Sequence, residues 1–111
     1  MTEEEYTIWI KEWGKVERKG KKNPYTSFNG HMFTFLDTKN EYLALRLSAE
    51  DKKKFNEKHD QGDVIQYNSV MNGYVEIPKS IASNKTELFK MLDQSFEFVS
   101  SLEPKPTKKK K

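Results

Sequence analysis

The sequence predicts an α+β domain: an antiparallel sheet of about five strands with helices, in the order α-β-β-β-α-β-β-α. Three observations carry this. Residues 31–36 (HMFTFL) and 41–47 (EYLALRL) alternate with the period of two expected of strands. Residues 2–13 and the stretch after Asn84 repeat their apolar residues at helical spacing. Between them, Asn29-Gly30 is a strong hairpin signal, because both residues tolerate positive φ.

Size and composition bound the rest. At 111 residues the chain supports one domain and one modest core. Only 34% of residues are hydrophobic, but 13% are aromatic, and a few large rings fill a small core. A folded domain is therefore expected over 1–103, with 104–111 as a flexible basic tail. The chain has no cysteine, which excludes disulfides, thiolate nucleophiles and cysteine-bound zinc. MTEEEYTIWI is no signal peptide, and no apolar run approaches the roughly 20 residues of a membrane span. A soluble cytoplasmic protein without a membrane partner is the expectation. The net charge of +3 includes five tail lysines, Lys105 and Lys108 to Lys111, so residues 1–103 carry −2. A near-neutral body weakens the reading as a dedicated nucleic-acid binder.

The first helix is capped by Thr2, has Glu3, Glu4 and Glu5 at its positive end, and turns Tyr6, Trp9, Ile10 and Trp13 to one face. Gly14 stops it. Residues 15–22 form a basic loop whose spacing is not that of a phosphate-binding Walker loop. Asn23-Pro24 is a turn, 25–28 a short strand, and 31–36 a strand with His31, Phe33 and Phe35 on one face and Met32, Thr34 and Leu36 on the other. Residues 37–40 turn the chain. Leu43, Leu45 and Leu47 then alternate with Tyr42, Ala44 and Arg46, completing a three-stranded meander.

Ser48 with Asp51 has the form of a capping box, opening a helix to about His59 with Phe55 as its anchor. Its lysines read as a solvated face. Gly62 ends the segment. Residues 64–67 and 71–77 read as two strands joined through Asn68 or Asn72-Gly73, and Pro78 stops the second. Ile81 falls in a connecting turn. Asn84 and Glu87 then cap a last helix whose stripe is Leu88, Leu92, Phe96, Val99 and Leu102, with Phe89, Met91 and Phe98 beside it.

Chemistry is sparse. His31 and His59 are the only histidines, and neither has a metal-ligand partner at suitable spacing. Ser48 reads as a cap and lacks the G-x-S-x-G surroundings of a nucleophile elbow. No constellation has the logic of an active site, so no enzyme and no cofactor are expected. The residues that stand out as candidate contacts for nucleic acid or a partner are Lys15, Arg18, Lys19, Lys21, Lys22, Tyr25 and His31. Loop 15–22 and the lysine tail combine charge with a nearby aromatic, which suits weak, salt-sensitive, non-specific nucleic-acid contact.

The succession FNGHMFTFL (28–36), LALRL (43–47), SAEDKKKF (48–55) and VMNGYVEIP (70–78) resembles the TfoX/Sxy N-terminal-domain family, over about 25–102. That family shows a small-residue turn into M-F, a second strand giving L-Y-L-K, a helix with a buried Phe, and a Tyr-x-x-Pro-like end before the last helix. The second strand here reads YLALRL instead. YjbR-like proteins share the general organisation. The resemblance implies an N-terminal helix, a curved antiparallel sheet interrupted by one helix, a closing helix, and no catalytic residues. The family's namesakes regulate natural competence in bacteria and carry a second C-terminal domain, for which this chain has no room. The combined expectation is a regulatory or adaptor domain working through a protein partner, with homodimerisation and weak DNA binding as further expectations.

Overall fold

The structure is a computed structural model that describes residues 1–66 and 68–104. Tyr67 and nearly all of the expected basic tail, residues 105–111, lie outside the described residues. The chain forms an α+β fold in the order α1 (Glu3–Trp13), β1 (Tyr25–Phe28), β2 (His31–Asp37), β3 (Tyr42–Arg46), α2 (Ala49–His59), β4 (Ile65–Gln66), β5 (Ser69–Val70), β6 (Tyr74–Glu76), α3 (Lys79–Ala82) and α4 (Lys85–Ser101). The main sheet is antiparallel, in the order β1-β2-β3-β6.

Local chemistry sets the element ends. Thr2 and Glu5 make a full capping box at α1, and Gly14 closes it in the left-handed region at φ 79°. The Ser48 hydroxyl accepts from the Asp51 N–H, and the Asn84 side chain from the Glu87 N–H. The second half of the box at α2 is missing, because the Asp51 carboxylate accepts from Gln94 instead. α2 ends two residues before Gly62, at Asp60, which takes the left-handed conformation itself. The turn after β2 is built by Asp37, whose carboxylate accepts from the Lys39 and Asn40 N–H groups and from the Asn40 amide. The expected connecting turn around Ile81 is one turn of helix, α3.

One sheet face carries the main core. Tyr6, Ile10 and Trp13 from α1 and Leu88, Leu92 and Val99 from α4 pack on Phe33, Leu36, Leu43, Leu45 and Val75. Each such side chain contributes about 1.5–3 kcal/mol by leaving water. The face assignment on β2 differs from the simple alternation. Thr26 pairs with Thr34 but Ser27 pairs with Met32, so Phe33 is an extra, bulged residue. Phe33 and Thr34 consequently both reach the helical side, and Phe35 joins a second cluster on the opposite face. The bulge brings Phe33 to within 6.1 Å of Trp13 and 5.8 Å of Phe96, ring to ring. It also places the Thr34 hydroxyl 2.7 Å from the Tyr6 hydroxyl and 2.6 Å from that of Thr26.

On α4 the buried stripe is Leu88, Leu92, Ser95 and Val99, while Phe96 is only partly buried. Ser95 donates to the Arg46 carbonyl at 2.6 Å and faces that of Phe33 at 3.2 Å. A hydroxyl in the stripe thus ties the helix to two strands. Between α2 and α3 the expected second strand, 71–77, divides. Its first three residues are not strand, and just before it Ser69–Val70 pairs with Ile65–Gln66 outside the main sheet, in a small hairpin turned by Asn68 at φ 61°. Tyr74–Glu76 joins the main sheet beside β3, with Gly73 at φ 87° between the two.

The hydroxyl chain Tyr6–Thr34–Thr26 predicts an ordering of substitutions. Thr34→Val keeps the shape but leaves two buried hydroxyls short of a partner, and should cost about 1–3 kcal/mol in urea unfolding. Tyr6→Phe leaves the Thr26–Thr34 bond standing and should cost less, about 0.5–1.5 kcal/mol.

Candidate functional site

The basic loop is a strap laid along α1. After Gly14 the chain turns back, and Lys15 reaches Asp93 on α4 at 2.7 Å. The same carboxylate oxygen accepts from the Trp13 indole at 2.9 Å. These donors, Lys15 first, hold the Asp93 carboxyl below the usual carboxylate range. Arg18 is the fastener of the strap. Its guanidinium donates to Thr7 at 2.8 Å, to Glu3 at 2.9 Å, and to the carbonyls of Gly20 and Lys21 at 2.8 and 3.2 Å. Gly20 makes the return: φ is +82°, and a Cβ there would stand 2.3 Å from the Asn23 carbonyl oxygen. Lys19 then exchanges backbone hydrogen bonds with Tyr25, at 2.8 and 3.0 Å, and its ammonium donates to Ser27.

The seven candidate contacts are therefore sorted into different places. Lys15 is engaged by Asp93 and Arg18 by Glu3 and Thr7. Lys19 and Tyr25 are brought together at the edge of β1. Lys21 and Lys22 are exposed and make no ion pair among the described residues. His31 is apart from all of these, with Nε2 2.9 Å from the Glu103 carbonyl oxygen where the chain leaves α4. His59 stacks on Phe55, ring centroids 4.3 Å apart.

Tyr25 belongs to a larger surface. On the face of the sheet away from α1 and α4, Tyr25, Phe35, Ala44 and Glu76 stand in register across all four strands. Phe35, Ala44, Val64 and Tyr74 are buried there, with Tyr25, Met32, Tyr42 and Met71 half-buried around them. The Tyr74 hydroxyl donates to the Met32 carbonyl at 2.7 Å. Burial pushes the Tyr74 phenol up to about 12. Tyr42 is also pushed up to about 12, first by burial and then by the carboxylates of Asp37 and Glu76. Both rings stay neutral donors across the physiological range.

Val64 and Met71 anchor the small hairpin on this face, the Met71 N–H donating to the Val64 carbonyl at 2.8 Å. Beyond that anchor Ile65 and Val70 form a cross-strand pair, 58% and 47% exposed. Apolar residues paired on a two-residue ladder get little support from that ladder alone. Tyr and Met side chains of this kind are enriched at the centres of protein interfaces.

The sequence reading named Tyr25 but missed Met32, Tyr42, Ile65 and Val70. A signal for Tyr42 was present: the strand placing three leucines inward turns Tyr42, Ala44 and Arg46 to a second face. For Ile65 and Val70 the signal was absent, since their exposure depends on a hairpin leaving the main sheet.

Among the described residues no group of three or more His, Cys, Asp or Glu side chains could hold a metal ion, and no helix is long and apolar enough to cross a membrane. No family model matches the chain, and neither a curated protein nor a solved structure matches it. The arrangement presents neutral phenols and polarisable sulfur on one sheet face, with a cationic strap at its edge.

Two substitutions check the strap. Gly20→Ala forces a side chain into a left-handed position against backbone and should cost about 1–3 kcal/mol by chemical denaturation. Asp93→Asn should lower stability at neutral pH. Because the folded Asp93 value is depressed, its contribution is present above the unfolded value and disappears as pH falls through the folded one. The gap between the melting curves of parent and variant should therefore close in acid. Both Asp93 and Lys15 are over two-fifths exposed, so the gap should be small.

Proposed function

We propose that this chain is a non-enzymatic regulatory or adaptor domain that docks a protein partner on the Tyr25–Met32–Tyr42 sheet face and the hairpin beside it. The observation that carries the reading is the Ile65–Val70 pair: two apolar side chains exposed side by side on a small hairpin whose neighbouring residues, Val64 and Met71, pack on the half-buried tyrosine and methionine face. Single exposed apolar residues need no explanation, but a cross-strand pair of them is the kind of surface a partner covers. The resemblance to stand-alone TfoX N-terminal domains belongs to this reading. It is supported by the α-β-β-β-α order over 3–59 and by the closing helix.

Weak nucleic-acid binding is the second reading, carried by the exposed Lys21 and Lys22 next to the Lys19–Tyr25 bridge. Its charge is reduced, because Lys15 and Arg18 already serve Asp93 and Glu3.

The test is capture from native cell extract with immobilised protein, comparing the parent with Ile65→Asp/Val70→Lys. Both positions are exposed, so the variant should melt within about 0.5 kcal/mol of the parent while losing the captured partner. An identical captured set from both proteins would sink the adaptor reading. A gel shift that falls steeply with salt and disappears on neutralising Lys21 and Lys22 would favour the nucleic-acid reading instead.

A further inference from the structure

We infer that Asn72-Gly73 is a self-modifying site, at which the Asn72 side chain exchanges its amide for a carboxylate with water alone, and the new carboxylate pairs with Arg46. Two asparagines of the chain, Asn29 and Asn72, precede glycine. A glycine carries no side chain to hold its backbone nitrogen away from the neighbouring carboxamide. The two pairs lie in different settings, and the setting singles out Asn72. The turn from Met71 to Tyr74 is closed by the Tyr74 N–H donating to the Met71 carbonyl at 3.2 Å, with Gly73 at φ 87° in its third position. Residues 71–73 belong to no strand, and Asn72 is exposed. The peptide between Asn72 and Gly73 makes no hydrogen bond through its N–H or its carbonyl among the described residues. It is therefore free to turn its nitrogen toward the Asn72 side chain. The next carbonyl, that of Gly73, accepts from the Leu47 N–H at 2.8 Å and keeps the turn in place meanwhile.

Arg46 supplies charge at this turn. A Cβ on Gly73 would stand 3.6 Å from Arg46 Cγ and 3.7 Å from its Nε, so the side chain lies against the glycine. Its guanidinium stands 5.6 Å from the centroid of the Phe98 ring, and no carboxylate pairs with it among the described residues. A cation so placed favours each anionic species on the route. Solvent base takes the proton of the Gly73 N–H, and the nitrogen attacks Asn72 Cγ. A bond forms between that nitrogen and Cγ, closing a succinimide ring. The bond from Cγ to Nδ2 then breaks, and ammonia leaves with a proton from water. Water opens the ring at either carbonyl. One opening gives aspartate, and the other gives isoaspartate, in which the main chain runs through the former side chain. The balance is amide plus water to carboxylate plus ammonium, with nothing oxidised or reduced. Both products place a negative charge beside Arg46, and isoaspartate also lengthens the main chain between the small hairpin and β6.

Asn29-Gly30 is the internal reference. Asn29 is half-buried, stands in the left-handed region at φ 57°, and donates from its side-chain amide to the Ser100 carbonyl at 3.5 Å. Its turn is clamped by β1 and β2, where Phe28 pairs with His31, and His31 in turn meets the Glu103 carbonyl. The carboxamide is thereby kept from its own backbone, and the tight hairpin resists the rotation that ring closure needs.

The site uses neither Ile65 nor Val70, so it stands or falls independently of the adaptor reading. The test is incubation of the full chain in mildly alkaline buffer, with peptide mass spectrometry following Asn29 and Asn72 separately. In the folded protein Asn72 should react about fivefold faster than Asn29 or more, and in urea the two rates should converge. Arg46→Gln should slow Asn72 by about three- to tenfold and leave Asn29 unchanged. A variant that failed to fold would instead raise the Asn29 rate to its value in urea. Asn72→Asp, which carries the product carboxylate, should melt above the parent at low salt, and the gain should vanish in Asn72→Asp/Arg46→Gln. Equal rates at the two asparagines in the folded protein, or an Asn72 rate indifferent to Arg46→Gln in a folded variant, would overturn the site. No gain in Asn72→Asp would overturn the pairing with Arg46.

Discussion

The structure depends on one irregularity in its second strand. A regular β2 would send Phe33 and Thr34 to opposite faces. The bulge at Phe33 sends both to the helical side, Phe33 to meet Trp13 and Phe96 and Thr34 to meet Tyr6. Three buried hydroxyls, Tyr6, Thr34 and Thr26, then satisfy one another where each alone would be a liability. This chain of hydroxyls joins α1, β2 and β1, so one network fixes the seat of the N-terminal helix and the pairing of the first hairpin. Burial, outweighing the hydrogen bonds to Thr34 and Thr26, pushes the Tyr6 phenol up to about 12 and keeps it a neutral member of the network.

Ser95 performs the matching task for α4. A helix with an unbroken apolar stripe could slide along a sheet, because apolar contact is non-directional. A buried hydroxyl shared between the carbonyls of Arg46 and Phe33 sets the helix at one height. α1 and α4 are therefore positioned by polar contacts inside an apolar interface. The opposite sheet face has no long helix, and a short hairpin covers only part of it. That difference in cover gives the molecule a finished side and a side with tyrosine and methionine still in reach of solvent.

The sequence made the local elements legible. Thr2, Ser48, Asn84 and Gly14 each announce a helix end through hydrogen bonds spanning three or four residues, and Asn29-Gly30 announces its hairpin likewise. What escaped were features fixed by distant partners. The bulge places Thr34 against Tyr6, 28 residues earlier in the chain. The splitting of 64–77 depends on Val64 and Met71 finding Phe35 and Tyr74, so that the hairpin leaves the sheet before β6 enters it. The strap reads in the sequence only as a basic loop, because Glu3, Thr7 and Asp93 are invisible from within 15–22. The candidate surface was half legible for the same reason. Tyr25 was visible through its aromatic character beside charge, whereas Met32 and Tyr42 acquire meaning only when the sheet aligns them.

The backbone bridge from Lys19 to Tyr25 has a consequence for how this surface could evolve. It occupies the outer edge of β1 at its first residue, and the strand at the other side of the sheet, β6, is only three residues long. Neither border offers a long open ladder to an incoming strand, so main-chain pairing, which is indifferent to sequence, is a poor route to association. Recognition is left to side chains standing on the sheet face. A surface of that kind can change what it recognises one substitution at a time, because the backbone beneath it is held by the bulge and the hydroxyls on the far side and takes no part in the exchange.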